Sequence, residues 1–352
     1  MTTDRRIKIA LITDVNNWAF GNVARQFKKH LSDYFDFTMI SLEECDWNGT
    51  KLLFRVKDCD ILHFFWRDCI ALINEDSYKA YFGPLPISAT QFLKEYYLDK
   101  ILSTAVYDHL FLKSDEIIER KSIFDRFHYY VSSEKLYDIY SEISEYPNPV
   151  SIVEDGVDPG LFYPVHIERL KDTKRSLKIG WVGNSKWGQN LGEDFKGFQS
   201  ILKPVMDELV LETDGGIIGF FADKNERFIT HEEMVNYYSE IDILVCVSKI
   251  EGTPNPILEA MACGVPVIST DVGIVNQVFG EKQKQFILSE RDSIELKKAI
   301  YRIFENRSIL EDLSKENLDQ IKHWNWSKKA FKFKNYIDTI VSNKIKQTER
   351  IY

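Results

Sequence analysis

Short apolar segments alternate with helix-like segments along this chain of 352 residues, and the alternation runs through the chain twice. Ile7–Thr13 is a nearly continuous apolar run, which is typical of a parallel strand buried on both faces. The first series has further predicted strands at Phe37–Ser41, Asp60–Phe65, Ser103–Tyr107, Tyr129–Ser132 and Ser151–Val153. The second series has predicted strands at Leu177–Val182, Gly216–Phe221, Ile241–Val247, Val265–Ser269 and Gln285–Leu288. This alternation predicts two doubly wound α/β domains with parallel sheets, which bind ligands outside the carboxyl ends of their strands.

A turn-rich segment lies between the two series. Residues 155–174 contain glycine, two prolines and clustered charges, which is typical of a linker. From about Ser293 to Ile345 the pattern is helical throughout. We therefore predict a first domain over residues 1–165, a second domain over residues 166–325 and a terminal helix over residues 326–352.

Composition excludes several classes of function. Lys and Arg number 45 against 54 Asp and Glu, a formal net charge of −9, so the broad basic footprint of a nucleic-acid-binding protein is absent. The five cysteines are odd in number and form no CxxC pair, which fits reduced thiols in a cytosolic protein. The apolar run near the start is too short for a signal peptide, and no stretch approaches the roughly 18 apolar residues of a membrane span. We expect a cytoplasmic protein, and no metal, because no His, Cys and Asp cluster has metal-ligand spacing.

Residues 248–273 carry the clearest chemical signal. Because Pro256 disfavours a helical conformation at the preceding residue, we predict a helix that begins at Pro256 with Asn255 as its N-cap. The free amides of Ile257 and Leu258 would then face the carboxyl end of the preceding strand and form an anion site suited to phosphate. Gly264 supplies the left-handed position that ends the helix.

Two glutamates, Glu251 and Glu259, lie on either side of this helix start. Carboxylates beside a phosphate site repel the phosphate, so they are suited instead to accept hydrogen bonds from sugar and ribose hydroxyls. Each such charge-assisted hydrogen bond is worth about 1.5–3 kcal/mol. The pattern therefore indicates a site for a phosphorylated, hydroxyl-rich ligand.

Residues 251–270, EGTPNPILEAMACGVPVIST, resemble the E-x7-E signature of family-4 retaining glycosyltransferases. The resemblance implies the GT-B fold, with two Rossmann-like domains, a cleft between them and a last helix that crosses back to the first domain. It implies that Glu251 contacts the donor sugar and that Glu259 holds the ribose of a nucleotide-diphosphate sugar. It also implies donor binding by the residues around the helix start: Gly252, Thr253, Pro254, Asn255, Pro256, Ile257 and Leu258.

Residues 179–197 resemble the family's G-R…K-G loop, in which an Arg and a Lys hold the diphosphate in place of a metal. Here Asn184 follows Gly183 where the family usually has Arg. Lys196 is the predicted diphosphate ligand and a catalytic residue. Lys186 is interpreted either as a replacement for the missing charge or as a solvated loop cation.

The acceptor side is predicted in the first domain. Gly21 ends a loop, residues 14–21, that stands where the family has a Gly-rich loop near the acceptor. His63 lies in a strand resembling the family's D-I-x-H strand, as a packing residue or as a ligand. Residues 103–109 resemble the family's strand that ends in a His-Asp pair near the donor's anomeric carbon. Tyr107 occupies the usual His position, so either that residue is replaced or the alignment shifts to Asp108 and His109, both candidate catalytic residues.

We therefore predict a metal-independent retaining glycosyltransferase with a nucleotide sugar as substrate, no cofactor, and a glycan or lipid-linked acceptor of bacterial cell-surface glycan assembly. The alternatives are a catalytically silent nucleotide-sugar-binding subunit and a GT-B sugar-nucleotide epimerase. The last helix is rich in lysine and is interpreted as a solvated face, with peripheral contact to the inner face of the membrane as the alternative. The oligomeric state is left open.

Overall fold

The computed structural model describes residues 5–82, 89–227 and 229–349. The described residues up to Asp155, together with those from Lys329 onward, form one compact unit, and Gly156–Lys328 form the other. The chain enters the second unit ten residues ahead of the predicted boundary at residue 166. The reason lies in Val157, whose amide donates to the Trp324 carbonyl at 2.8 Å and whose carbonyl accepts from the Trp326 amide at 3.1 Å.

The first unit contains a parallel sheet with the strand order β2-β1-β3-β4-β5-β6. Its strands are β1 (Ile7–Thr13), β2 (Phe35–Ser41), β3 (Ile61–Phe64), β4 (Ile101–Val106), β5 (His128–Val131) and β6 (Ser151–Ile152). Its helices before the chain crosses over are α1 (Ala19–Leu31), α2 (Gly49–Arg55), α3 (Glu75–Phe82), α4 (Ala89–Leu93), α5 (Ser114–Arg126) and α6 (Glu134–Ser141). The order reverses beside β1, so β1 and β3 form the topological switch point of this sheet.

The second unit repeats this plan with the strand order β11-β10-β9-β7-β8, again all parallel. Its strands are β7 (Leu177–Gly183), β8 (Ile217–Asp223), β9 (Ile243–Cys246), β10 (Val267–Thr270) and β11 (Ile287–Leu288). Its helices are α7 (Lys203–Glu212), α8 (Met234–Glu240), α9 (Asn255–Ala262), α10 (Val275–Val278), α11 (Ser293–Glu305) and α12 (Ile309–Gln320). The switch point of this sheet lies between β7 and β9.

Both faces of the second sheet are covered, which explains why its strands are mostly apolar. Along β9, Ile243 and Val245 belong to one buried cluster, whereas Leu244 belongs to another. Because successive side chains of a strand point to opposite faces, the two clusters lie on opposite sides of the sheet. The prediction of two Rossmann-like parallel-sheet domains is confirmed, and each predicted strand coincides with an observed one within a few residues.

The last helix, α13 (Trp326–Glu349), packs within the first unit from Lys329 onward. The Phe333 ring stacks on Phe27 with centroids 4.1 Å apart. The Tyr336 hydroxyl lies 2.7 Å from Ser103 Oγ. Return of the last helix to the first domain is therefore confirmed.

Several lysines of α13 have partners inside the first unit. The Lys332 ammonium lies 2.6 Å from a Glu154 carboxylate oxygen, and the buried Lys329 ammonium lies 3.4 Å from the other oxygen. Burial lowers the pKa of Lys329 to about 8. Lys344 donates to the Asp99 carbonyl at 2.9 Å. Three lysines of α13 therefore make contacts within the first unit. None of the described helices is long and apolar enough to cross a membrane.

Candidate active site

Two long segments meet at the switch point of the second sheet. One follows β7 and carries Asn184, Lys186 and Lys196, and the other follows β9 and carries Glu251. The Lys249 amide donates to the Phe195 carbonyl at 2.7 Å and joins the two segments. We call residues 184–197 the β7 loop and residues 247–254 the β9 loop. Parallel strands end at the same edge of a sheet, so this edge gathers the predicted donor residues.

Lys196 and Glu251 form an ion pair between the two loops. Their side chains are only 23% and 16% exposed, so the pair is largely shielded from water. The Lys196 ammonium also lies 5.2 Å from the centroid of the Trp187 ring, close enough for a cation–π contact. The two residues predicted to act on the diphosphate and on the sugar are thus brought together by the fold.

Glu259 lies on α9 and is held through both carboxylate oxygens. The Tyr238 hydroxyl donates to Oε2 at 2.7 Å, and His231 Nε2 lies 3.1 Å from Oε1. Burial and the Glu259 carboxylate raise the pKa of Tyr238, so this hydroxyl remains protonated and donates. The Phe162 ring meets the His231 ring edge-to-face at 5.1 Å.

Neither Tyr238 nor His231 is among the site residues that the sequence predicts. Tyr238 is fully buried, and its hydroxyl orients Glu259. His231 stands 28 residues before Glu259, and no local pattern connects the two positions.

The start of α9 differs by one residue from the prediction. The helix begins at Asn255, and Pro254, with ψ of 85°, is its N-cap. The Ile257 amide donates to the Pro254 carbonyl at 2.9 Å, because the first turn is tight. The sequence predicts a free amide at Ile257 that could bind an anion. This prediction is wrong, because that amide is already bonded. At the other end, Gly264 has φ of +75°, and the predicted left-handed termination is confirmed.

The residues between the two glutamates differ in burial. Gly252, Thr253 and Pro254 are buried, as are Ile257 and Leu258, whereas Asn255 and Pro256 are partly exposed. The backbone at Gly252 also meets Gly273, where a Cβ atom would lie 1.9 Å from the Gly252 carbonyl oxygen. This close approach holds the β9 loop against the segment that follows β10.

The beginning of the β7 loop lacks the expected cation. The Asn184 side-chain oxygen accepts from Asn225 Nδ2 at 2.7 Å and from the Lys186 amide at 3.0 Å. Asn184 thus shapes its own turn, and the Lys186 side chain is exposed. At Gly183 a Cβ atom would lie 2.8 Å from the Trp181 ring, so a side chain is excluded there.

The helical segment behind Lys196 is capped by the protein itself. A π-helical turn, Phe198–Leu202, leads into α7. Asp194 Oδ2 accepts from the Gln199 amide at 2.9 Å and from the Ser200 amide at 2.8 Å. A carboxylate of the chain therefore occupies this helix start, and Lys196 is the cation of the β7 loop that faces Glu251.

Asp108 and His109 lie beyond the end of β4 in the first unit. Asp108 accepts two hydrogen bonds from the buried Arg67, at 2.7 and 3.2 Å. Burial alone would raise the pKa of Asp108, but the Arg67 guanidinium outweighs it and holds that pKa below its usual value. Burial lowers the pKa of His109, so its imidazole is neutral at pH 7. Among the described residues, no group is within hydrogen-bond reach of the buried His109 Nδ1. Arg67 was not predicted, since nothing near it in sequence marks a partner for Asp108.

The other predicted acceptor residues, His63, Tyr107 and Gly21, make contacts within the first unit. His63 is fully buried, and its Nδ1 lies 2.8 Å from Ser103 Oγ, so the interpretation as a packing residue is the correct one. The Tyr107 hydroxyl donates to Asp155 at 2.7 Å. Gly21 lies in the first turn of α1, where a Cβ atom would be 1.9 Å from the Asn16 carbonyl oxygen. Its role is to admit that close approach.

Residues 227–320 match the family model described as Glycosyl transferases group 1. Within the chain, 74 residues are 35% identical to a candidate teichuronic acid biosynthesis glycosyltransferase, TuaC, from Bacillus subtilis (strain 168). That match covers 21% of this chain and 19% of TuaC's own length. The part of the second unit that matches this family model includes Glu251 and Glu259.

The likeness to solved structures extends over nearly the whole chain. Sucrose-phosphate synthase from Thermosynechococcus elongatus is 16% identical, with a TM-score of 0.69 over 96% of this chain and 100% of that one. HepE from Anabaena, crystallised with UDP and glucose, is 10% identical, with a TM-score of 0.64 over 95% of this chain and 100% of that one. At such identities the likeness concerns the fold, which is GT-B as the resemblance implied.

Proposed function

We propose that this protein is a retaining, metal-independent glycosyltransferase that moves a sugar, such as a hexose, from a nucleotide-diphosphate sugar to an acceptor. The observation that carries the proposal is the ion pair of Lys196 with Glu251 at the carboxyl edge of the second sheet, with Glu259 on the helix that follows the β9 loop. Both glutamates belong to the segment that matches group 1 glycosyltransferases. UDP bound to HepE supports a nucleotide sugar, and the name of TuaC supports a role in polysaccharide biosynthesis.

The three residues divide the chemistry of the donor. Negative charge grows on the diphosphate as it leaves, so a cation at Lys196 stabilises the transition state more than the ground state. In the structure this cation pairs with Glu251. A bound diphosphate would replace Glu251 as its partner, and the released carboxylate would accept hydrogen bonds from the sugar. Glu259, already oriented by Tyr238, would accept from the ribose hydroxyls.

We propose that the first unit binds the acceptor, a glycan or lipid-linked glycan of the bacterial cell surface, at the carboxyl edge of its sheet. Of the candidate residues there, His109 is better suited than Asp108 to accept a proton. Its imidazole is neutral at pH 7, whereas the Asp108 carboxylate is stabilised in its charged form by Arg67.

The test of the donor site is a thermal-shift screen with UDP, GDP, ADP, CMP and dTDP, each with and without EDTA. A ligand at 100 times its Kd adds about 2.7 kcal/mol of stability, which a melting curve resolves. We expect one nucleotide to stand out, with no effect of EDTA. A flat screen would contradict the donor site, and loss of binding with EDTA would contradict metal independence.

A second candidate, a catalytically silent nucleotide-sugar-binding subunit, is favoured by one observation. Where the family usually has a cationic Arg, the neutral Asn184 bonds to Asn225. Transfer from, or slow hydrolysis of, the nucleotide sugar selected by the screen would identify an enzyme. Binding without any turnover in the presence of varied glycan acceptors would identify the silent subunit.

A further inference from the structure

Arg291 connects the two loops of the candidate donor site. It lies between β11 and α11, far along the chain from both Lys196 and Glu251. Its Nε donates to the Val247 carbonyl at 2.9 Å, and its Nη2 donates to the Asp194 carbonyl at 2.6 Å. The guanidinium of Arg291 therefore binds two backbone carbonyls, one in the β9 loop and one in the β7 loop.

Both anchored carbonyls are close in sequence to the reacting side chains. Asp194 precedes Lys196 by two residues, and Val247 precedes Glu251 by four. The Asp194 carboxylate is itself fixed, because it caps the helical segment that follows Lys196. Gly197, with φ of +66°, brings the β7 loop so near that a Cβ atom there would lie 2.5 Å from the Val247 carbonyl oxygen and 3.0 Å from Arg291 Nη2.

The contact needs a forked cation. Two carbonyl oxygens on different loops are reached by two different nitrogens of one rigid plane, and an ammonium group offers no such fixed pair of donors. Arg291 retains its charge at neutral pH because an arginine side chain stays protonated. Its Nε and Nη2 atoms are directed at backbone carbonyls, so its part in the site is indirect.

We propose that Arg291 is a positioning residue of the donor site, which sets the distance between Lys196 and Glu251 by holding the β7 and β9 loops together. This inference rests on the proposed function, since it concerns the same nucleotide-sugar site. Nothing in the local sequence around Arg291 marks it for this role. Loss of the fork would leave Lys196 present but poorly placed for a diphosphate.

The experiment is a double-mutant cycle on nucleotide affinity in the full-length chain. The probes are UDP, GDP, ADP and dTDP, measured by calorimetry with wild type, Arg291→Gln, Lys196→Ala and the double variant. We expect Arg291→Gln to lower the affinity for the nucleotide about tenfold, because the charge-assisted hydrogen bonds that hold the two loops are lost. In the Lys196→Ala background the same change should weaken it less than about twofold, because the residue through which Arg291 acts is already gone.

Two further variants separate positioning from charge and from stability. Arg291→Lys keeps the positive charge without the fork, and we expect it to bind as poorly as Arg291→Gln. Arg302→Gln is the matched control, because Arg302 lies on α11 and donates to Gln285 outside the site, so its variant should bind like wild type. Equal losses from Arg291→Gln in both backgrounds, or full rescue by Arg291→Lys, would overturn the inference. Failure of wild type to bind any of the four nucleotides would instead contradict the proposed function, and with it this inference.

Discussion

Glu251 and Glu259 stand eight residues apart, yet each faces a different kind of partner. Glu251 faces the Lys196 ammonium, whereas Glu259 faces the Tyr238 hydroxyl and the His231 ring. Removing Glu251 leaves a cation without its carboxylate, and removing Glu259 takes away an acceptor already oriented for hydroxyls. The two changes should therefore produce different defects.

For Glu251→Ala we expect turnover to fall by about 100-fold or more, the scale seen when one group that stabilises a transition state is removed. Nucleotide affinity should change far less, because Lys196 remains available to the diphosphate. Steady-state kinetics and calorimetry on the same preparation measure both quantities. Equal losses in turnover and affinity would assign Glu251 to uniform binding instead.

For Glu259→Ala we expect nucleotide binding to weaken by about 1.5–3 kcal/mol, the worth of a charge-assisted hydrogen bond. Titration calorimetry with the nucleotide chosen by the screen gives this number directly. If Glu251→Ala and Glu259→Ala both retain full activity, the assignment of the two glutamates is wrong.

His63 makes the stability of the protein depend on pH. Burial lowers the pKa of His63 to about 3 in the folded chain, against an ordinary value of 6.5. Between these values the unfolded chain binds the proton and the folded chain does not. This contribution to stability is therefore present above pH 6.5 and is lost as the pH falls towards 3, at up to about 1.4 kcal/mol per pH unit.

His63→Gln should be less stable than wild type at pH 7 but should lose less stability between pH 7 and pH 4. Melting temperatures across this range measure the slope, with the exposed His323→Gln as the matched control. An unchanged acid slope in His63→Gln would show that other groups govern the acid limb.

At the scale of the elements, loop backbones decide where the donor residues lie. The β9 loop is held by the close approach of Gly252 to Gly273, a glycine with φ of +50° in the segment after β10. A glycine is required there because a left-handed backbone position and a missing Cβ are needed at the same time. The position of the β9 loop, which carries Glu251, therefore depends on Gly273 as well.

Gly273→Ala should displace the β9 loop, since its Cβ would meet the Gly252 carbonyl oxygen at 1.9 Å. Gly215→Ala is the matched control, because Gly215 has φ of +77° and a Cβ atom there would lie more than 4 Å from any described residue other than its chain neighbours. Both variants should lose about 1–2 kcal/mol of stability through backbone strain. Only Gly273→Ala should also weaken nucleotide binding by tenfold or more. Equal binding by the two variants would contradict a role for this contact.

At the scale of the whole molecule, the first unit is built from two segments that are far apart in the sequence. α13 follows the second unit in sequence but belongs to the first from Lys329 onward. Its buried Phe333 stacks on Phe27, and Tyr336 bonds to Ser103 beside His63. The terminal helix therefore completes the core of the first unit, whereas the candidate donor site lies in the second.

Phe333→Ala should destabilise the first unit by about 3–5 kcal/mol, the usual cost of removing a buried phenylalanine. Phe331→Ala is the control, because Phe331 lies on the same helix and is 39% exposed. Calorimetric melting should show a large shift for Phe333→Ala and a small one for Phe331→Ala. Nucleotide affinity well below the melting transition should remain that of wild type in both, and loss of nucleotide binding in Phe333→Ala would contradict the placement of the donor site in the second unit.

Local sequence patterns encode some features of this protein and leave others open. Apolar runs such as Ile7–Thr13 mark buried parallel strands, and Gly264 marks the end of α9, because each signal depends on neighbouring residues alone. The helix α9 begins one residue earlier than predicted, because the Ile257 amide donates to the Pro254 carbonyl in a tight first turn. His63 was left open between packing and ligand binding, because burial is a property of the assembled core.

Strand periodicity is a short-range feature, so the alternating apolar segments were enough to predict two parallel-sheet domains. The resemblance to a known family indicated Lys196, Glu251 and Glu259 as candidate donor residues. The partners of the candidate residues appear only in the folded chain: Tyr238 and His231 contact Glu259, Arg67 binds Asp108, and Arg291 connects the β7 and β9 loops. These partners come from distant parts of the chain, and parallel strands ending at a common edge bring them together.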